Sequence, residues 1–172
     1  MAKTPLLGFI GNSNSGKTTL LTTLIARLSA TGLKIGAVKH HHRFFTIDHK
    51  GKDSQRFTAA GARKTIITGS EQTALIEQTS TQLPLEELAA TYLSDLDLIL
   101  VEGFKQIKMP KIEVQRRALE LPLLSRGTFH DPNLIAVVSD QTQTLDVPLF
   151  EPHDIVAIST FICRYFALPI KP

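Results

Sequence analysis

Several features that would point away from a cytoplasmic protein are missing from this sequence of 172 residues. Cys163 is the only cysteine, so no intrachain disulfide can form, and a reducing compartment fits. No charged-then-apolar leader precedes the first apolar segment, and no apolar run approaches the length of a membrane span. These absences exclude a disulfide-stabilised secreted domain, and they predict a soluble cytoplasmic protein without membrane contact.

The chain is nearly balanced in charge, but its basic residues are concentrated in one segment. The formal net charge is +3, whereas residues 34–64 hold eight Lys and Arg residues against two Asp, a local charge of +6. Such a concentration favours either an anionic ligand or a solvated basic face. Nucleic acid is not expected as the ligand, because Phe44, Phe45 and Phe57 form no repeated base-stacking pattern.

The strongest motif is an eight-residue segment that fits G-x-x-x-x-G-K-[ST] at every fixed position, Gly11-Asn12-Ser13-Asn14-Ser15-Gly16-Lys17-Thr18, here called the phosphate loop. An apolar run precedes it and a helical pattern beginning at Thr19 follows. Glycines let successive N–H groups face one concave surface, where they and the positive helix end bind phosphate. The loop and Thr19 are therefore predicted to bind a nucleoside triphosphate, with Lys17 on the β- and γ-phosphates and the Thr18 hydroxyl on Mg²⁺.

A second apolar segment ends in a carboxylate. The run Leu98-Ile99-Leu100-Val101 is typical of a strand buried on both faces of a parallel sheet, and Glu102 stands at its carboxyl end. In phosphate-loop proteins an acid at this place lies next to the metal ion held by the loop hydroxyl. We therefore predict Glu102 and Thr18 as the metal-side pair. The alternative is a carboxylate that only caps a turn.

Strand and helix patterns alternate along the whole chain. Six or more strands with intervening helices predict an α/β fold of the P-loop NTPase class, a doubly wound, mostly parallel sheet flanked by helices, in a single domain over residues 1–172. Ligands are then expected at the carboxyl ends of the strands. Residues 147–150, which include Pro148, read as an edge strand. Residues 111–114 are a second candidate edge that would pair across a two-fold axis.

A base-recognition site is predicted at the end of a late strand. The N1–H and N2–H₂ edge of guanine offers two donors to a carboxylate, and adenine has no such pair. Ser139 and Asp140 stand where related GTPases carry their guanine-binding residues, although the usual Asn-Lys-x-Asp sequence is absent. Ser139 and Asp140 are therefore predicted to contact guanine. The alternative is an aspartate that caps a helix or a turn.

Taken together, the motifs resemble one family. The chain is similar to the molybdopterin-guanine dinucleotide biosynthesis protein B (MobB) family from near Leu6 to the last helix. The phosphate loop alone is shared by many proteins, and the resemblance depends on its combination with other motifs. These are Lys-His-x-His over Lys39–His42, Asp48, Gly51-Lys52-Asp53-Ser54, Ala60-Gly61-Ala62, and Val-Glu-Gly-Phe-Lys at 101–105.

The resemblance implies binding of GTP with Mg²⁺, weak GTP hydrolysis, and a homodimer that works beside the guanylyltransferase joining GMP to molybdopterin. Molybdopterin itself and chaperones of molybdoenzymes are further implied partners. Lys17, Asp48 and Glu102 take the catalytic positions, with Asp48 near the metal ion or the γ-phosphate. In one departure, Arg43 replaces the second of two adjacent histidines that family members often carry.

The histidine-rich loop is the last predicted element of the site. Adjacent histidines on an extended loop point in different directions, unlike the ligands of a zinc site, and no cysteine assists them. Lys39, His40, His42 and Lys52 are therefore predicted to bind phosphate or pterin. Two alternatives to the GTPase hypothesis remain. One is a small-molecule kinase with Arg116 and Arg117 over the transferred phosphate, and the other is an adaptor in which the nucleotide is only structural.

Overall fold

Among the residues that the structure describes, strands and helices alternate only in part, because two strands near residue 70 form a hairpin and the last four strands follow one another without an intervening α-helix. The computed structural model describes residues 3–41, 45, 47–127 and 130–169. Its strands are β1 (Leu6–Ile10), β2 (Ile35–Lys39), β3 (Lys64–Thr68), β4 (Thr73–Glu77), β5 (Leu98–Glu102), β6 (Lys111–Gln115), β7 (Leu134–Ser139) and β8 (Leu149–Phe150). Its helices are α1 (Lys17–Ala30), α2 (Asp53–Ala59), α3 (Leu85–Tyr92) and α4 (Ile155–Tyr165), with a 3₁₀ turn at Arg117–Leu119.

Six of the strands form one parallel sheet in the order β2-β5-β1-β6-β7-β8. The first strand of the chain is therefore central, with β5 on one side and β6 on the other. All pairs run in the same direction, so the loops that follow these strands emerge at a single edge of the sheet. This topology confirms the predicted P-loop NTPase type of α/β fold.

The chain divides into two compact units, Met1–His40 with Ala89–Pro172, and His41–Leu88. The first unit contains the six-stranded sheet. The second contains α2 and an antiparallel hairpin of β3 and β4, within which Lys64 pairs with Glu77 at 3.1 Å and the hydroxyls of Thr58 and Thr65 lie 3.2 Å apart. The expectation of a single domain over the whole chain stays a prediction.

The apolar core of the first unit lies between one face of the sheet and two helices. Leu20, Leu21, Leu24 and Leu28 of α1 are buried at the spacing that its sequence pattern predicts. They join strand residues and α4 residues in one core, which includes Phe9, Ile112, Val114, Ile158 and Ile162. Cys163 is only 5% exposed in this core, and burial raises the pKa of its thiol. The cysteine is therefore a packing residue, as predicted.

The structure corrects one prediction about sheet edges. Residues 111–114 do not form an edge, because β6 pairs with β1 on one side and with β7 on the other. The side chains of Lys111 and Glu113 in this strand are buried with polar partners. The predicted edge strand at residues 147–150 is confirmed as the last strand of the sheet, but β8 is shorter than predicted and covers only Leu149–Phe150. No helix in the described part of the chain is both long and apolar enough to cross a membrane.

Candidate functional site

The phosphate loop has a backbone that depends on its glycines. Gly11 has a φ of +145°, and a Cβ there would clash with the carbonyl oxygen of Val114 in the neighbouring strand β6. Gly16 has a φ of +93° and stands directly before the first turn of α1. Asn14 also lies in the left-handed region, with a φ of +63°. These conformations turn the chain sharply between β1 and α1, as required for a loop whose N–H groups face one ligand.

Lys17 folds back across this loop. Its Nζ donates to the carbonyl oxygen of Asn12 at 2.6 Å and to that of Gly11 at 3.3 Å, and lies 3.4 Å from the Ser15 hydroxyl. Burial lowers the pKa of Lys17, the carboxylate of Glu102 raises it, and nearby Lys105 and Lys39 lower it further, with a net decrease. A half-buried ammonium whose hydrogen-bond acceptors are neutral is suited to receive an anion.

Glu102 lies where the sheet register places it. In β5 it is paired with Phe9 of β1 and with Lys39 of β2, so three strand ends meet beside the phosphate loop. The Thr18 hydroxyl donates to Glu102 Oε2 at 2.9 Å, and Lys39 Nζ lies 3.3 Å from Glu102 Oε1. The carboxylate is 17% exposed. The structure therefore brings together Lys17, Thr18, Lys39 and Glu102, which were predicted from separate motifs.

The oxygen atoms of Thr18 and Glu102 fit a magnesium ion. Mg²⁺ prefers oxygen ligands, keeps several waters, and is commonly bound by one or two protein groups together with substrate phosphates. A hydroxyl and a carboxylate oxygen in contact, next to a phosphate-binding backbone, supply the protein part of such a set. Among the described residues, no group of three or more His, Cys, Asp or Glu side chains has the arrangement of a metal site.

Two basic residues lie near the loop in addition to the predicted site residues. Lys105 was not predicted at the site, and Arg116 was predicted there only in the small-molecule kinase alternative. Lys105 lies close enough to lower the pKa of Lys17. Arg116 follows β6, and its Nη2 lies 3.4 Å from the position that a Cβ on Gly16 would occupy. Lys105 belongs to the Val-Glu-Gly-Phe-Lys motif, which was a signal for it. Arg116 belongs to no motif of the phosphate site, and only the position of β6 next to β1 brings it there.

Asp140 and Ser139 lie at the carboxyl end of β7. The Ser139 hydroxyl donates to Gln115 Oε1 at 3.3 Å and accepts from the Gln141 N–H at 3.1 Å, so it connects two loops. Asp140 is exposed, and its Oδ1 accepts from the Arg117 backbone N–H at 2.6 Å. Their predicted contact with guanine stays a prediction.

A cavity of about 810 Å³ extends along this edge of the sheet. Its walls are the loops that follow β6 and β7, and its volume is in the range of small-molecule sites. Three side-chain amides line it, and the carboxylate of Glu113 holds one wall by accepting from the N–H groups of Leu124 and Ser125. The polar lining residues include Gln115, Arg117, Glu120, Arg126, Gln141, Gln143, Thr144 and Asp146.

The predicted anion-binding residues fall in different parts of the structure. His40 donates its backbone N–H to the Glu102 carbonyl oxygen at 2.9 Å, and its ring packs against Phe104 with centroids 4.4 Å apart. Asp48 and Lys52 belong to the second unit, where one buried oxygen of Asp48, Oδ2, has no hydrogen-bond partner among the described residues. His42 lies outside the described residues. The roles predicted for these side chains stay predictions.

Comparison with known proteins identifies the family. The family model for Molybdopterin guanine dinucleotide synthesis protein B matches residues 6–140, a span that includes the phosphate loop, Glu102 and Asp140. The chain belongs to this family. The resemblance seen in the sequence motifs is thereby confirmed.

Individual relatives agree with this assignment. The molybdopterin-guanine dinucleotide biosynthesis adapter protein of Escherichia coli (strain K12) is 39% identical over 169 residues, covering 94% of this chain and 93% of the relative. A protein with the same description from Haemophilus influenzae is 38% identical over 159 residues, covering 92% and 87% of the two chains. The crystal structure of Bacillus subtilis MobB superimposes with a TM-score of 0.73 at 28% identity, covering 93% of this chain and 97% of that chain.

Proposed function

We propose that this MobB-family protein binds GTP with Mg²⁺ at the phosphate loop, hydrolyses it slowly, and acts as an adapter in the synthesis of molybdopterin guanine dinucleotide. Its partner in this proposal is the guanylyltransferase that transfers GMP to molybdopterin. The two relatives described above are named as adapter proteins of this pathway, which supports the assignment. Cytoplasmic location and a homodimer are part of the same proposal.

The contact between Thr18 and Glu102 carries the proposal. The Thr18 hydroxyl follows the phosphate-binding backbone directly, and Glu102 Oε2 lies 2.9 Å from it. A metal ion at these oxygens would also reach the β- and γ-phosphates of a nucleotide in the loop. The cationic side chains of Lys17, Lys39 and Lys105 outnumber the single carboxylate at this place, which favours a highly charged anion.

Slow hydrolysis is proposed because Glu102 is already engaged. Its Oε2 accepts from Thr18 and its Oε1 is paired with Lys39, so both oxygens of this carboxylate have partners. A carboxylate held in this way orients a metal ion better than it takes a proton from water. Asp48 is proposed as the second acid, acting near the metal ion or the γ-phosphate. Lys39, His40, His42 and Lys52 are proposed to contact phosphate or pterin.

Guanine recognition is proposed for Asp140 and the adjoining cavity. One carboxylate oxygen of Asp140 already accepts from the Arg117 N–H, and a carboxylate oxygen has a further lone pair for guanine. The cavity offers amide groups that both donate and accept hydrogen bonds, as the remaining edge of a purine requires. Ser139 contributes by holding the loop through Gln115.

The test is calorimetric titration with GTP, ATP and xanthosine triphosphate, each with Mg²⁺, on the natural chain and on Asp140→Asn. The natural chain is expected to bind GTP at least tenfold more tightly than ATP. Asparagine keeps an acceptor for the Arg117 N–H but replaces one carboxylate oxygen by a donor. Xanthine carries an acceptor where guanine carries its amino group, so the variant is expected to prefer xanthosine triphosphate over GTP.

Lys34→Asn serves as a control, because Lys34 is exposed at the opposite end of the sheet, just before β2. This variant is expected to keep the nucleotide preference of the natural chain. Equal binding of GTP and ATP by the natural chain would refute the guanine-dependent function and would favour the small-molecule kinase. An unchanged preference in Asp140→Asn would remove Asp140 from the base site.

A further inference from the structure

The end of strand β6 directs two consecutive arginines to opposite faces of the sheet. Ile112 and Val114 of β6 pack into the core shared with α1. Arg116 continues the strand in extended conformation, with φ −124° and ψ 125°. Since side chains alternate along a strand, Arg116 lies on the same face as Ile112 and Val114, the face that carries α1. Arg117 is turned to the other side and lines the cavity.

The guanidinium of Arg116 lies against the phosphate loop. Its Nη2 and Cζ are 3.4 and 3.9 Å from the position of a Cβ on Gly16, so the guanidinium occupies the side of the loop that this glycine leaves open. Gly16 directly precedes Lys17 and the first turn of α1. Arg116 therefore stands within reach of an anion bound by the loop N–H groups.

The surroundings of this guanidinium are unfavourable for a purely structural cation. Arg116 is exposed, and no ion pair or hydrogen bond of its side chain occurs within residues 3–41, 45, 47–127 and 130–169. It lies beside the positive end of α1, where a cation is disfavoured and an anion is favoured. Lys17, Lys39 and Lys105 add further positive charge. Elsewhere in the same unit, Arg126 forms two hydrogen bonds with the Asp146 carboxylate.

We propose that Arg116 is a phosphate-binding residue that contacts the phosphate chain of the nucleotide in the loop. This inference rests on the proposed function of the loop as a triphosphate site. A guanidinium binds two phosphate oxygens through a planar pair of N–H groups, which neither Lys17 nor the backbone amides provide. Arg116 is then a positioning residue that holds the phosphates against the loop from the side of β6, opposite the carboxylate of Glu102 on β5.

The experiment compares Arg116→Gln, Arg116→Lys and the control Arg27→Gln with the natural chain. Arg27 has the same charge, is exposed on the last turn of α1, and lies about 15 Å along the helix from Lys17, at 1.5 Å per residue. Calorimetry with Mg²⁺ measures binding of GTP and of inorganic triphosphate. Thermal unfolding of each variant verifies that the chain is folded, as expected for an exposed substitution.

Arg116→Gln is expected to bind both GTP and inorganic triphosphate at least tenfold more weakly, Arg116→Lys to bind with intermediate affinity, and Arg27→Gln to bind within twofold of the natural chain. Equal losses of affinity in Arg116→Gln and Arg27→Gln would show that only the net charge of the protein matters, and would overturn the proposal. Unchanged affinity in Arg116→Gln would also overturn it. If the natural chain binds inorganic triphosphate as tightly as GTP, guanine recognition is refuted. The ratio of the affinities of the natural chain and Arg116→Gln for inorganic triphosphate then still tests the role of Arg116. Natural-chain binding of neither probe would overturn both.

Discussion

Two regions of the sheet handle positive charge in opposite ways. Lys17, at the phosphate loop, has only neutral oxygens as hydrogen-bond acceptors. Lys111, on β6, is 2% exposed, and its Nζ lies 2.6 Å from Asp131 Oδ2 and 2.9 Å from the Lys105 carbonyl oxygen. The buried lysine is fully paired, and the lysine at the loop is not.

The difference separates structural charge from functional charge. A buried ammonium without a carboxylate costs several kcal/mol, so Lys111 is stable only because Asp131 accompanies it. Around the loop, burial and like charges lower the pKa of Lys17, and Arg116 adds a further cation beside a helix N-terminus. This arrangement opposes folding slightly and favours binding of a polyanion. At the site, Lys39 is paired with Glu102, but Lys17 and Arg116 have no carboxylate as a hydrogen-bond partner among the described residues. The buried Lys111 of the scaffold has Asp131 as its partner.

Breaking the buried pair is expected to have the largest effect. Asp131→Asn has nearly the same shape, but it leaves the ammonium of Lys111 buried without a countercharge. The free energy of unfolding is expected to fall by about 3–5 kcal/mol, measured by urea denaturation at pH 7.

The matched control is Asp146→Asn, which breaks the ion pair of Arg126 with a carboxylate that is 54% exposed. This variant is expected to lose much less stability than Asp131→Asn, because an exposed carboxylate is hydrated and its attraction for Arg126 is screened by solvent. Adding Lys111→Met to Asp131→Asn is expected to recover most of the loss, because it removes the unpaired charge. Similar losses in the two single variants would show that burial does not distinguish the two pairs.

Removing the unpaired lysine is expected to affect binding and stability differently. Lys17→Met deletes a charge whose pKa is lowered by burial, so the unliganded protein is expected to keep its unfolding free energy or to gain slightly, since solvent screens a half-buried charge. Affinity for GTP with Mg²⁺ is expected to fall about 100-fold, because a charged hydrogen-bonding group is lost. Calorimetry and urea denaturation on one preparation measure both quantities.

Lys34→Met is the control for this variant, since Lys34 is exposed just before β2, away from the carboxyl ends of the strands. It is expected to leave both quantities unchanged. A lower unfolding free energy in Lys17→Met would contradict the inference that the positive charge of Lys17 disfavours the folded state.

The site residues could be predicted from the sequence where they belong to a short contiguous motif. The phosphate loop and the run ending in Glu102 are contiguous motifs, and their flanking patterns indicated parallel strands correctly. The contact between Thr18 and Glu102 then follows from a sheet in which β5 lies next to β1. Arg116 was predicted near a phosphate only in the kinase alternative and not in the GTP site, because it lies near Gly16 only through the pairing of β6 with β1, which no local pattern encodes.

The buried polar side chains of β6 could not be predicted, because their partners are also distant in sequence. The sequence of β6 alternates Lys111, Ile112, Glu113 and Val114, a pattern that normally indicates one solvated face. In the structure that face is covered, and Glu113 accepts from Leu124, Ser125 and the Ser125 hydroxyl, while Lys111 binds Asp131. These partners lie 11 to 20 residues further along the chain, in a segment without strand or helix periodicity. An alternating pattern of polar and apolar residues does not show whether the polar side chains face water or buried polar partners.

Acid titration gives the smallest expected effect and sharpens the comparison further. Burial raises the pKa of Asp131, but hydrogen bonds from Lys111 and Asn133 hold it, on balance, below the ordinary value of 3.8. As the pH falls below that value, the unfolded chain takes up the proton first, so the free energy of unfolding decreases with falling pH until the folded carboxyl is also protonated. The slope from this group is at most about 1.4 kcal/mol per pH unit, and its contribution is complete and constant above about pH 5. Urea denaturation between pH 5 and pH 3 is expected to show this extra slope in the natural chain and not in Lys111→Met with Asp131→Asn, whose core carries no charge at these positions. Parallel curves would mean that Asp131 binds its proton equally well folded and unfolded, and the buried pair would then not owe its stability to the ionised carboxylate.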